Sequence, residues 1–364
     1  MNNIKDVVVK YNSVVVGYLK QLDSTRVAFK YDDKWIKDGF PISPLSLPLS
    51  DKVYISKYEP FKGIYGVFYD SLPDGWGEYL MHKMFIRKGI NPNKVSALTK
   101  LTLIGNNSLG GLTYEPNYMG ETLEVDATFD ELYLISNALL EDDDNVDFDK
   151  LYVKGGSSGG TRPKVHCFIN GESWIVKFPS KYDSKNIGEE EFNVNVLAKK
   201  CGINVADFMF VQSSILKGYF ASKRFDVVKG KRVHVISLSS LLETSYEIPN
   251  LDYLHLFQVI NLVSVDKEND LYEAYRRMCF NVFVHNKDDH GKNTSFIYDE
   301  DKKGYVLSPA YDITSLKGKL EHEMTVNGNG NPTEKDLLDV AEVVKLSLDK
   351  CKKIIKEIKT IIKE

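Results

Sequence analysis

The hydrophobic period changes along this chain, and that change limits what it can fold into. Residues 6–30 alternate apolar and polar ("VVVKYNSVVVGYLK", then "RVAFKYDD"), the period of strands with one buried face. From about residue 237 the spacing is largely helical. The chain ends in "TEKDLLDVAEVVKLSLDKCKKIIKEIKTIIKE", where Ile354, Ile355, Ile358, Ile361 and Ile362 form a continuous apolar stripe opposite a lysine-rich face. A strand-rich start and a helical end predict an α+β protein. At 364 residues, two domains or one large bilobed one are expected, and a hydrophobic content of 43% is enough for a sizeable core.

Between these ends the signals are local. "FPISPLSLPLS" breaks regular structure with three prolines in eleven residues. A turn at Pro73-Asp74-Gly75 leads into an amphipathic helix that Gly89 stops, and a short strand is expected within 103–116. The acidic run at 141–145 is a solvated helix end or loop. "LYVKGGSSGGTRPKVHCFINGESWIVKFPS", from 151, predicts strand, glycine-rich turn, strand, tight turn at Asn170-Gly171, strand. A helix with Phe192, Val196 and Leu197 at helical spacing follows, then strands at "VADFMFVQSS" and "GYFASKRFDVV".

Composition narrows the function classes. The net charge of −4 gives no global field for nucleic acid. The four cysteines are far apart and form no CxxC pair, which fits reduced, mostly buried thiols rather than a disulfide frame or zinc site. No apolar run approaches the roughly 18 residues of a membrane span, so a soluble, cytoplasmic chain is expected.

Three stretches could carry chemistry. In "GGSSGGTRPK", residues 155–164, four glycines let the backbone turn its N–H groups toward an anion. The stretch lacks the lysine of a Walker A loop and leads into a strand, so it is not a P-loop of that kind. Lys177, inside the apolar run "SWIVKFP", must either snorkel or meet a buried anion. Behind a glycine-rich loop, a kinase places such a strand lysine on nucleotide phosphates and pairs it with a helix glutamate. Glu191 is the one expected to turn inward here. The third stretch, "HNKDDHGKN" at 285–293, follows an apolar helix and precedes a strand-like run. Asp288 and Asn293 have the Asp-x4-Asn spacing of a kinase catalytic loop, and Asp312 in "SPAYDIT" follows nineteen residues after Asn293. A transition-metal site from His285, Asp288, Asp289 and His290, or a purely structural polar turn, are the competing readings; oxygen donors favour Mg²⁺. No GxSxG signature of a hydrolase is present.

Taken together, "SLPDGWGEYLM", "GNNSLGGLTYEP", "GGSSGGTRPKV", "VKFPS", "SKRFD", "FNVFVHNKDDHGKNTSF" and "LSPAYDIT" occur in the order found in HipA-like serine/threonine kinases, the toxins of bacterial HipBA toxin–antitoxin systems. The chain resembles that family over roughly residues 10–330. The resemblance implies a bilobed, protein-kinase-like α+β fold with a strand-rich N-terminal part and an all-helical C-terminal lobe. It divides the chain into an N-terminal subdomain (1–115), a kinase N-lobe-like α+β region with glycine-rich loop and hinge (116–226), and a mainly helical C-lobe (227–364). Asp288 matches the catalytic aspartate, and His290 and Lys292 its loop neighbours. Asn293 and Asp312 match the metal ligands, Lys177 the ATP lysine and Glu191 its helix partner. Ser157, Ser158, Gly159, Gly160 and Lys164 fall on the ATP-binding loop, and Lys223 to Phe225 on the adenine-binding hinge. Ser157 or Ser158 holds the position of an autophosphorylated serine. ATP and Mg²⁺ are the implied cofactors. The implied partners are a small helix-turn-helix antitoxin, operator DNA through it, and a protein substrate such as an aminoacyl-tRNA synthetase. An inactive pseudokinase acting as a binding module and a small-molecule kinase are the alternatives.

Overall fold

The computed structural model describes residues 3–104, 108–119, 126–143, 145–156, 159–315 and 319–363. The chain separates into two compact units, one of Met1–Glu189, Met209–Ile236 and Ser240–Thr244, the other of Glu190–Phe208, Ser237–Ser239 and Ser245–Glu364.

In the first unit the alternating residues form β1 (Asp6–Tyr11), β2 (Val14–Gln21) and β3 (Val27–Tyr31), extended by β4 (Tyr54–Ile55). With β5 (Leu112–Glu115) they make an antiparallel sheet of order β4-β3-β2-β1-β5. Asn12 and Ser13, both at positive φ, close the β1–β2 hairpin with the twist that paired strands require. Val7, Val9, Val16, Leu19, Val27 and Phe29 turn to the buried side. The short helices α1 (Asp33–Asp38) and α2 (Gly66–Tyr69) follow, then α3 (Gly75–Arg87) and α4 (Ala97–Leu101). Helix α3 buries Trp76, Leu80, Met81, Met84 and Phe85, one face of the predicted amphipathic pattern.

Residues 148–155 correct the strand expected to open at 151. After α5 (Phe129–Leu140) they form a helix, α6 (Phe148–Gly155). Asp147 caps it by accepting from the Lys150 N–H, and Phe148, Leu151, Tyr152 and Gly155 are all buried. That i, i+3, i+4, i+7 spacing puts them on one face only in a helix. Next come β6 (Lys164–Ile169), β7 (Glu172–Lys177), β8 (Phe208–Val211) and β9 (Tyr219–Lys223), in the order β6-β7-β9-β8. Asn170 and Gly171, at φ +53° and +77°, make the predicted tight turn between β6 and β7. A two-residue hairpin, β10 (Val227–Val228) with β11 (Lys231–Arg232), precedes β12 (Val235–Ser237).

The second unit is built mostly on helices: α7 (Ile187–Lys200), the single turn α8 (Leu238–Leu241), α9 (Tyr253–Val263), α10 (Lys267–Val284), α11 (Glu334–Val343) and α12 (Leu348–Lys363). Helix α12 packs on α10 and α11 through Cys351, Ile354, Ile355 and Ile358. This helical part also carries four short strands, so it is mainly rather than wholly helical. β13 (Leu251–Asp252) runs parallel to β16 (Met324–Thr325), and β14 (Ser295–Asp299) pairs with β15 (Gly304–Leu307) as an antiparallel hairpin. The hairpin forms because "SFIYD" and "GYVL" are β-branched and aromatic runs on either side of a polar turn. No helix among the described residues is long and apolar enough to cross a membrane.

Candidate active site

The polar stretch 285–294 joins α10 to β14. Helix α10 stops at His285, which takes the left-handed conformation at φ +56°. The Asn286 N–H then returns to the Asn281 carbonyl at 2.9 Å, and its Nδ2 donates to Asn281 Oδ1 at 3.0 Å. Asn281 in turn donates to the Tyr253 hydroxyl at 2.9 Å. At the far end, the Leu238 N–H donates to the Thr294 carbonyl and Tyr311 Oη to the Lys292 carbonyl.

Asp289 is the anchor of this loop. It is buried, and its two oxygens accept from Tyr253 Oη (2.9 Å), the Glu323 N–H (3.0 Å) and the Met324 N–H (3.4 Å), with His322 Nδ1 at 2.8 Å. Burial, followed by the nearby Asp289 charge, holds the Tyr253 hydroxyl protonated far above its ordinary range. Asp289 is thus buried, and its neighbour Asp288 stays half-exposed.

One pocket of the second unit is lined by Asp288, Asn293 and Asp312, together with Tyr253, Asn281 and Asp289. The Asn293 Nδ2 donates to the Asp288 carbonyl at 2.8 Å, which fixes the amide plane and leaves Oδ1 as its outward lone-pair end. Asp312 sits at φ +53°, an uncommon conformation for a residue with a side chain, though aspartate tolerates it. Its neighbours hold it there: the Ala310 N–H donates to the Asn204 carbonyl, and Asn195 Nδ2 donates to the Ile313 carbonyl at 3.1 Å. Asn195 also caps the Glu191 carbonyl one turn back on α7, and both residues are buried.

Asp288 Oδ1 receives Lys319 Nζ at 2.6 Å, and the same ammonium reaches Glu323 Oε1 at 2.8 Å. Burial pulls the Lys319 pKa down, but the bonds to Asp288 and Glu323 outweigh it, and the net shift is upward. His290 and Lys292 lie off the pocket wall. The His290 ring packs 5.6 Å from that of Tyr246, and Lys292 Nζ stands 4.8 Å above the same ring.

In the first unit, Lys164 and Lys177 are register partners across β6 and β7, and both are buried. Directly opposed residues of an antiparallel pair point to one face. Two lysines so placed make a buried cationic spot. Lys177 Nζ also lies 5.5 Å from the centre of the Phe220 ring. The described part of the glycine-rich loop is gripped by the start of α3. The Gly160 N–H donates to Asp74 Oδ1, and the Trp76 N–H donates to the Gly160 carbonyl at 2.8 Å. Gly75 makes this approach possible: its φ is +45°, and a Cβ there would collide with the Gly160 carbonyl. Lys223 leaves the end of β9 for Glu172 at 2.5 Å, while Arg224 buries its guanidinium against Asp226. Phe225 between them is half-buried. Ser157 and Ser158 lie outside the described residues.

Sequence reasoning missed Lys319, His322, Glu323 and Asn195 as groups around the site, and for the first three it had no signal. Asn195 could have been found, because it lies one helical turn after Glu191 on an otherwise apolar face. Among the described residues, no group of three or more His, Cys, Asp or Glu could hold a metal ion. The donor set Asn293 and Asp312 offers oxygen alone. That suits Mg²⁺, which completes its shell with water and phosphate.

Two family models match this chain. The family model of the HipA N-terminal domain matches residues 7–115, and that of the HipA-like C-terminal domain matches residues 156–364. The chain belongs to the HipA-like family. It is 28% identical over 339 residues to Y4dM of Sinorhizobium fredii, a protein named as a candidate kinase, covering 88% of this chain and 79% of that one. Its fold is similar to a chain of the Shewanella oneidensis MR-1 toxin–antitoxin complex of HipA, HipB and operator DNA, with a TM-score of 0.71 at 20% identity. That match covers 97% of this chain and 88% of the other.

Proposed function

We propose that this chain is an ATP- and Mg²⁺-dependent serine/threonine protein kinase and the toxin half of a toxin–antitoxin pair. The observation that carries this reading is the single pocket shared by Asp288, Asn293 and Asp312, with the Asn293 amide fixed on the Asp288 main chain. The kinase-named relative and the family membership support it.

Bound ATP with Mg²⁺ would supply an electrophilic phosphoryl group and the charge needed to neutralise it. Asn293 Oδ1 and the Asp312 carboxylate would hold the metal. Lys177, Lys164 and the N–H groups of the loop around Gly159 and Gly160 would hold phosphate, with Glu191 as the partner of Lys177. The segment from Lys223 to Phe225 would meet the base. Asp288 would orient the acceptor hydroxyl and take its proton as the oxygen–phosphorus bond forms. Positioning and charge carry most of the rate in such transfers. His290 and Lys292, packed on Tyr246, would serve by shaping the loop. Ser157 or Ser158 is the proposed autophosphorylation site. A protein, such as an aminoacyl-tRNA synthetase, is the proposed acceptor in trans. The Shewanella complex supports a HipB-like antitoxin, with operator DNA, as partner.

The test is incubation of the purified chain with γ-labelled ATP and Mg²⁺, alongside Asp312→Asn. Label on a serine of the wild-type chain, lost in the variant, is expected. Nucleotide binding by calorimetry with no label on any protein would favour the binding-module reading instead.

A further inference from the structure

We propose that Lys319 is a positioning residue of the transfer site, holding the Asp288 carboxylate in the orientation that receives the acceptor hydroxyl. This rests on the kinase reading above. An aspartate that must meet one hydroxyl is hampered by rotation of its own carboxylate, and a second bond to one oxygen removes that freedom. Lys319 Nζ makes that bond to Asp288 Oδ1 at 2.6 Å, which leaves Oδ2 for the hydroxyl proton.

Surface lysine–carboxylate pairs are ordinarily weak, because two long side chains must be ordered together. This one is mounted differently. The segment that carries Lys319 is fastened to the loop that carries Asp288. Lys287 Nζ donates to the Leu320 carbonyl at 2.7 Å, His322 Nδ1 lies 2.8 Å from Asp289 Oδ2, and the Glu323 N–H donates to Asp289 Oδ1 at 3.0 Å. Glu323 then returns its carboxylate to Lys319 at 2.8 Å, so the ammonium is held from two sides. Asp288 and Asp289 divide the labour: the buried one fixes the segment, and the half-exposed one receives its lysine. The lysine side chain is 34% exposed and that of Asp288 32%, so both stay open to an incoming group.

In the step itself the acceptor oxygen bonds to the γ-phosphorus, and the bond from that phosphorus to the bridging oxygen breaks. ADP leaves with the electron pair, and the hydroxyl proton goes to Asp288 Oδ2. Lys319 forms no covalent bond. It keeps Oδ2 in line and places a positive charge beside the oxygen that is losing its proton.

The test compares wild type with Lys319→Met, Lys319→Arg and Glu323→Gln in the full chain. With Lys319→Met, kcat should fall by about 10–100-fold, as for misplacement of a reacting group. The affinity for a non-hydrolysable ATP analogue with Mg²⁺, measured by calorimetry, should stay within about twofold of wild type, since Lys319 is assigned no nucleotide contact. Lys319→Arg should recover most of the loss, and Glu323→Gln should give a smaller one. An unchanged kcat in Lys319→Met overturns the inference while leaving the kinase reading intact. A loss of nucleotide affinity as large as the loss of rate also overturns it, because the lysine would then be a nucleotide ligand. A wild-type chain that transfers no phosphate overturns the kinase reading, and this one with it.

Discussion

The loop at 285–294 in the second unit and the glycine-rich loop in the first are both short polar connections, yet they are restrained by different means. The first is held by side chains. Asp289 alone engages Tyr253, His322 and two backbone N–H groups, and Asn281, Asn286 and Tyr311 tie its two ends. The second, where described, is held through the backbone of Gly160 by Asp74 and Trp76, and through Arg162, whose guanidinium pairs with Asp183 at 3.1 Å. A loop pinned by many buried groups is preorganised and costly to move. A loop held at a few part-buried points costs less to move.

Four experiments would break or sharpen the contrast. The largest effect is expected from Asp288→Asn, which removes the proposed proton acceptor but none of the anchors. Phosphate transfer should fall by at least about a hundredfold, while the urea midpoint moves little, because the pair with Lys319 is part-exposed. A normal rate would remove Asp288 from the chemistry. Next, Asp289→Ala should destabilise the second unit by about 3 kcal/mol, the scale for removing one partner of a buried, hydrogen-bonded charge. Hydrogen exchange should then speed up together in 285–294 and 319–324. Loss of protection in only one segment would contradict the anchor role. Asp74→Asn should be milder, about 1–2 kcal/mol for weakening one charge-assisted bond. It should accelerate exchange of the Gly160 amide and leave 285–294 unchanged.

The fourth test concerns a second carboxylate of the first unit, one that accepts from a backbone N–H. Glu243 accepts from the Gly66 N–H at 3.1 Å, and burial pushes its carboxyl up to about 7. A carboxyl raised in the fold favours the protonated form. Its contribution is therefore complete below about 4.5 and is lost as pH rises through about 7. The urea midpoint of wild type should fall between pH 5 and pH 8 relative to that of Glu243→Gln. Parallel profiles would mean that the group ionises normally.

Much of this was legible before the fold was known. Asp288, Asn293 and Asp312, singled out by spacing, line one pocket. Lys177 was singled out because a lysine in an apolar strand demands an explanation, and it is buried. Helix α6 was misread because its first buried residue, Phe148, lies before 151, where the strand was taken to begin. Without it the remaining apolar residues, Leu151, Tyr152 and Val153, read as a strand. The Asp289 partners and Lys319 were hidden for another reason. Tyr253 lies 36 residues upstream and the others 31 to 35 residues downstream, in a stretch with no hydrophobic period, and only tertiary packing brings them together. The grip of Asp74 on Gly160 spans 86 residues, and a "PDG" turn alone gives no hint of what it will hold.

The β6–β7 hairpin has one more consequence. Lys164 and Lys177 stand at its open end, five residue pairs from Asn170 and Gly171, and share a face only because that two-residue turn sets the count. Side chains alternate at every step, so sliding one strand by a single residue would send one lysine to the opposite face. The cationic spot is therefore spelled by a turn that never touches it: the register set at Asn170 and Gly171 decides whether both lysines share a face.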